Sequence, residues 1–243
     1  MEKVLVFQLS LFGSFINIQP NLQITNNLVG YLQGEGFVPA TIEVNTVNPA
    51  TKQIQSESRL QMITNDKTWN ISFLSDRIDI NYSFLGGSIF YSDINSVANK
   101  ACGLCEKVFS AFPDTTGSRV AMNGRFLLRD MTEDEKQAFV KKHCMVPQVY
   151  GEQKITEWAI HFNSPTMVQF GKWTELCNNI IEINNIIAID SVTLQASQRM
   201  AVGLDMSTDQ TNMDMKYNYI DLLGFAKSVC PLMEKTVKEV EER

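Results

Sequence analysis

The chain of 243 residues is 44% hydrophobic and 20% charged, a balance that suits a folded chain and excludes wholesale disorder. Its net charge of −6 is evenly spread, and no basic run exists to neutralise phosphates, so duplex nucleic acid is not an expected partner. Five cysteines, an odd number without framework spacing, point to a reducing compartment; no stretch approaches the roughly 20 apolar residues of a membrane span, and the expected location is the cytoplasm.

Leu5, Phe7, Leu9 and Leu11 recur at period two, which predicts an opening strand and argues against a signal peptide. Pro20 opens a helical segment with Leu22, Leu28, Val29 and Leu32 on one side, and Gly34 and Gly36 stop it. Four strand-like runs follow, at 37–47, 59–64, 68–74 and 77–84. Asn65-Asp66 and Ser75-Asp76 are turn chemistry between them, so an antiparallel meander is expected. Gly86-Gly87 reads as a plain turn; the bare alternative, an anion held by its backbone N–H groups, lacks the lysine and further glycines of a nucleotide loop. A long helix is then predicted, with Ile94, Val97, Ala98, Ala101, Cys105, Val108, Phe109 and Phe112 as its apolar stripe and Ser92 or Asp93 as its cap. Pro113-Asp114 ends it.

Arg119 to Arg129 reads as a new strand, and Thr132 with Glu135 as a capping box for a short helix reaching His143. Strand patterns return at Trp158, Ile160 and Phe162, at 180–189 across Asn184-Asn185, through Val192, Leu194 and Ala196, and at Met200, Val202, Leu204 and Met206. A last helix runs from about Tyr219. The order strand, helix, strands, long helix thus occurs twice, and the helix from Tyr91 aligns without a gap on the one from Tyr219. The expected fold is α+β, built from two similar halves, 1–115 and 116–243. Each would be an antiparallel meander covered on one face by its long helix, the two packed as one unit.

Cys102-Gly103-Leu104-Cys105 has the spacing of redox and zinc sites. In the helix alignment Cys102 meets Cys230 and Cys105 meets Met233, both core-type side chains. The pair also falls about three turns into a helix, away from the N-terminus that would lower a thiol pKa. Packing is therefore the preferred reading. The metal alternative is Cys102, Cys105, His143 and Cys144, a set tetrahedral zinc accepts; no cofactor is expected. Gly103 and Pro231, at matching positions, suggest a matched bend, with Pro231 alternatively starting a separate helix. Asp76 and Asp79 read as solvated turn residues, and His161 as facing solvent or a partner.

The stretches Asp76-Arg77-Ile78-Asp79-Ile80-Asn81 and Arg119-Val120-Ala121-Met122-Asn123 resemble a scattered, uncharacterised group of bacterial proteins of similar size. The two-part plan resembles duplicated α+β proteins in which a long helix crosses a meander, the helix-grip arrangement. The resemblance implies no activity and no functional residue.

With no nucleophile elbow, metal-binding HExxH or phosphate loop, the leading expectation is a non-catalytic interaction protein. It would be an accessory or regulatory subunit of a cytoplasmic complex, bound to a partner protein or to itself. One alternative is a binder of a small apolar ligand between helix and sheet, lined by Phe109, Phe112, Trp69, Trp158 and methionines. The other is an enzyme using Cys144 or His143 with a distant carboxylate.

Overall fold

A computed structural model describes residues 3–47, 52, 54–84, 90–144, 153–189 and 194–242. Among these residues the chain runs β1 (Lys3–Phe12), α1 (Leu22–Tyr31), β2 (Phe37–Val47), β3 (Ile54–Thr64), β4 (Trp69–Phe73), β5 (Arg77–Ser83), α2 (Ile94–Ser110), β6 (Arg119–Leu127), α3 (Glu133–His143), β7 (Ala159–Asn163), β8 (Thr166–Phe170), β9 (Trp173–Ile189), β10 (Ala196–Ser207) and α4 (Tyr219–Glu242). The strands make one antiparallel sheet in the order β2-β3-β4-β5-β1-β6-β10-β9-β7, with β8 also paired to β9.

This sheet overturns the expectation of two helix-covered halves. β1 and β6 pair from Lys3↔Leu127 to Phe12↔Arg119, so the strands on either side of residue 115 belong to a single ten-stranded sheet. Nor does each long helix serve a sheet of its own. α2 lies on β1 and β5, α4 lies on β8, β6, β1 and β10, and the two helices pack on each other. The physical reason is the free edge of β1. Unpaired N–H and C=O groups there need a partner, and β6 supplies it. Period-two alternation marks strands and their faces but is silent on which strands are neighbours.

Local chemistry explains most of the elements. In β1, Val4, Phe7, Leu9 and Leu11 are buried, and a bulge between Val4 and Val6 shifts the phase so that Leu5 leaves the core face. Asn21 caps α1 by accepting a hydrogen bond from the Ile24 N–H. Leu28 and Leu32 are buried, but Leu22 is 78% exposed and Val29 also faces outward, so the expected apolar side of α1 is narrower than the sequence suggested. Asp93 caps α2 through the Ser96 N–H, and Leu104 joins the expected stripe. The Thr132–Glu135 capping box of α3 is complete, with acidic residues in the first turn and basic ones in the last. α4 continues through Pro231 without ending, and β9 continues through Asn184-Asn185. Gly86-Gly87 and Val192 lie outside the described residues.

Core-face residues of the strands, Leu28 of α1 with its C-cap Leu32, the buried stripes of α2 and α4, and Phe139 of α3 form one apolar cluster. All four helices therefore contribute to the same side of the sheet. Two hairpins extend past their neighbours. Among the described residues β3 pairs β4 only over Gln61–Ile63, which leaves the outer part of β2–β3 two-stranded there. At the other end, β9 and β10 stay paired as far as Ile189↔Ala196, beyond the β6 ladder that begins at Ala201.

Candidate functional site

Alternation that turns apolar side chains to the helices turns the others to the opposite face of the sheet. There the register aligns Asn70↔Asn81, Asn81↔Gln8, Gln8↔Asn123 and Asn123↔Asp205, a continuous polar row over β4, β5, β1, β6 and β10. Side chains in the row and beside it hold one another. Asn81 Nδ2 donates to Asn70 Oδ1 at 3.0 Å, Gln61 Nε2 donates to Ser72 Oγ at 3.1 Å, and Ser72 Oγ donates to Asn70 Oδ1 at 3.2 Å. Asn123 meets its neighbours best with its amide nitrogen 2.8 Å from Asp205 Oδ1 and its oxygen 3.1 Å from the Gln8 amide.

The next row is Ser72↔Asp79, Asp79↔Ser10, Ser10↔Ala121 and Ala121↔Ser207. Asp79 is only 3% exposed, with Ser10 Oγ donating to it at 2.6 Å and Arg77 Nε at 2.9 Å. This corrects the reading of Asp79 as a solvated turn residue: it is a buried strand residue whose charge is matched at contact distance. Asp76 is exposed and lies 3.8 Å from Arg77. In the third row Phe12 stands between Arg77 and Arg119, whose guanidinium carbons lie 5.7 and 4.2 Å from its ring centroid. Burial lowers the Arg119 pKa, against an opposing pull from Asp205; burial raises that of Asp205, against Arg119. Farther across, Gly203 lies between Arg125 and Glu182 in register, and Arg125 reaches over it to donate to Asn184 at 3.2 Å.

The residues singled out from the sequence lie elsewhere. Cys102 and Cys105 are on α2, Cys105 fully buried and Cys102 partly so, while His143 ends α3 and Cys144 is its C-cap. His143 packs against Phe139. Among the described residues no three His, Cys, Asp or Glu side chains gather as a metal site, so the four-residue set is not brought together. Cys230, on α4, lies 3.3 Å from Asn95 Oδ1 on α2, at the seam between the two helices. His161 is exposed, opposite Glu182. The aromatic residues expected to line an apolar cavity touch other rings: Phe109 stacks on Tyr219, Phe112 meets Phe73 edge-on, Trp69 packs on Tyr82 and Tyr91, and Trp158 on Phe139. No helix among the described residues is long and apolar enough to cross a membrane.

The amide row is what residue-by-residue reading passed over, although its signal was present. Outward positions of five strands are Asn, Gln or Asp, and the two stretches that carried the family resemblance supply Arg77, Asp79, Asn81, Arg119 and Asn123 to this face. No known family, curated protein or solved structure matches the chain.

Proposed function

We propose that the protein is a non-catalytic interaction protein, an accessory or regulatory subunit that docks a partner protein on the face of the sheet opposite the helices. The observation behind this reading is the unbroken row from Asn70 to Asp205, set on a sheet whose helices all contribute to the other side. Each amide has more donor and acceptor capacity than its neighbours use, so the face offers hydrogen bonds at strand spacing on a rigid frame. An apolar core of rings and methyls stiffens the sheet from behind. Burial also raises the pKa of all five thiols, the opposite of what a nucleophilic cysteine needs, which favours binding over covalent chemistry.

Photo-crosslinking amino acids placed in cells at Gln8 or Asn81, on the sheet face, and at Glu106 or Lys227, on exposed helix positions, test the proposal. A discrete protein adduct is expected from the sheet positions and not from the helix positions. Adducts from the helix positions alone, or none from either, overturn it.

A further inference from the structure

We infer that Arg119 anchors the docked partner by receiving one of its aspartate or glutamate side chains. The inference rests on the docking role proposed above and deepens it.

Arg77 and Arg119 flank the same ring from β5 and β6, yet their circumstances differ. Arg77 donates to buried Asp79 and lies near Asp76, so its charge is answered within the chain. The Arg119 Nε is buried and has no hydrogen-bond partner, and among the described residues its guanidinium makes no ion pair within 4 Å. Asp205 is near enough to act on it through its charge, but the Asn123 amide holds that carboxylate. Ala121, the next residue of β6 on this face, offers no acceptor.

A guanidinium keeps its charge in any protein setting, and a desolvated N–H without an acceptor is unfavourable. What the site lacks is therefore a planar acceptor with negative charge. A carboxylate matches the guanidinium fork with two parallel hydrogen bonds, while Phe12 holds the fork flat from one side. A partner's lysine or arginine would meet the unanswered charge of Arg119 head-on. Charge complementarity thus selects an acidic side chain, and Arg is among the residue types that dominate interface energetics.

The test uses the full chain labelled with 15N and follows the Arg119 Nε–Hε resonance, assigned through Arg119→Lys. Acetyl-Gly-Glu-Gly-amide is titrated beside its Gln counterpart and inorganic phosphate. The Glu peptide is expected to shift this resonance and the Gln peptide to leave it in place. Arg119→Gln is expected to weaken the Glu peptide by about tenfold, the worth of a charge-assisted pair at a partly exposed site. Asp205→Asn should tighten it, since a competing carboxylate is gone. No shift at millimolar Glu peptide, equal shifts from both peptides, a response to phosphate alone, or weaker binding by Asp205→Asn would each overturn the inference. Amide spectra of the variants report whether the fold is kept, and Asp205→Asn gives a second readout should Arg119→Gln unfold. If crosslinking from Gln8 and Asn81 succeeds while this titration fails, the face docks its partner through other groups and only the role of Arg119 is lost.

Discussion

A thiol that attacks or ligates must first lose its proton, and each cysteine of this chain is held against doing so. Burial lifts Cys102 and Cys177 to about 11 and Cys230 to about 12, and raises Cys105 and Cys144 as well. Cys105 shows what the group does instead: it fills a fully buried place in the stripe of α2 beside Ala101 and Phe109. Cys105→Met is expected to cost about 1–2 kcal/mol, since the longer but apolar side chain must be fitted into a fully buried place. Cys105→Asp is expected to cost about 3 kcal/mol or more, because an unpaired carboxylate would be buried. Urea midpoints at constant slope give both values, and equal stability of the two variants would place position 105 in solvent. This residue was legible in the sequence, since helical period and its alignment with a methionine both point inward. Asp79 was not. Its neighbours Ser10 and Arg77 come from 69 and two residues away, and only the register of β1 on β5 brings the distant one within reach.

Elements were legible where capping and period agree. The α3 capping box and the α2 stripe follow from side chains within one turn of each other. They were misread where a neighbour changes the phase: the β1 bulge opposite β6 moves Leu5 off the core face, and no local signal announces it. Glycine 103 bears on a further expectation, the matched bend. A Cβ built there meets no atom within 4 Å, so nothing in the packing requires the missing side chain. Gly103→Ala is accordingly expected to stabilise the protein by about 0.5–1 kcal/mol, the helix preference of alanine over glycine. Thermal unfolding measures it, and a loss of stability would mean that α2 needs the freedom of glycine to bend. Gly124 contrasts with it. There the Phe126 ring lies over the place a Cβ would take, so the ring occupies the space of the absent side chain.

At the scale of the molecule, the sequence disclosed strands, faces and turns but not the assembly. Antiparallel pairing between β1 and β6 joins residues more than a hundred positions apart, and the polar face exists only once that seam closes. The candidate surface was therefore hidden even though every residue on it was in view. Beyond the seam, the outer part of the β2–β3 hairpin has no third strand among the described residues. A lone two-stranded ribbon is marginal in water, so it adds little to the stability of the body. Joining Asn45 directly to Ser56 through an Asn-Gly turn, which keeps Glu57 beside the buried Arg59, is expected to leave the melting temperature within about 4 °C of the parent, the shift that roughly 1 kcal/mol gives at this size. A larger fall would show that the hairpin tip is part of the folding unit.

The position of β1 has a consequence for synthesis. β1 leaves the ribosome before the two strands that flank it in the finished sheet, β5 and β6. It can take its first neighbour once Ser83 has emerged, but its other flank stays bare until Leu127 follows, and β6 in turn waits for β10. The nascent chain thus carries an apolar strand with an open side through the translation of about 45 further residues, several seconds at ordinary elongation rates, a window in which a chaperone has something to hold.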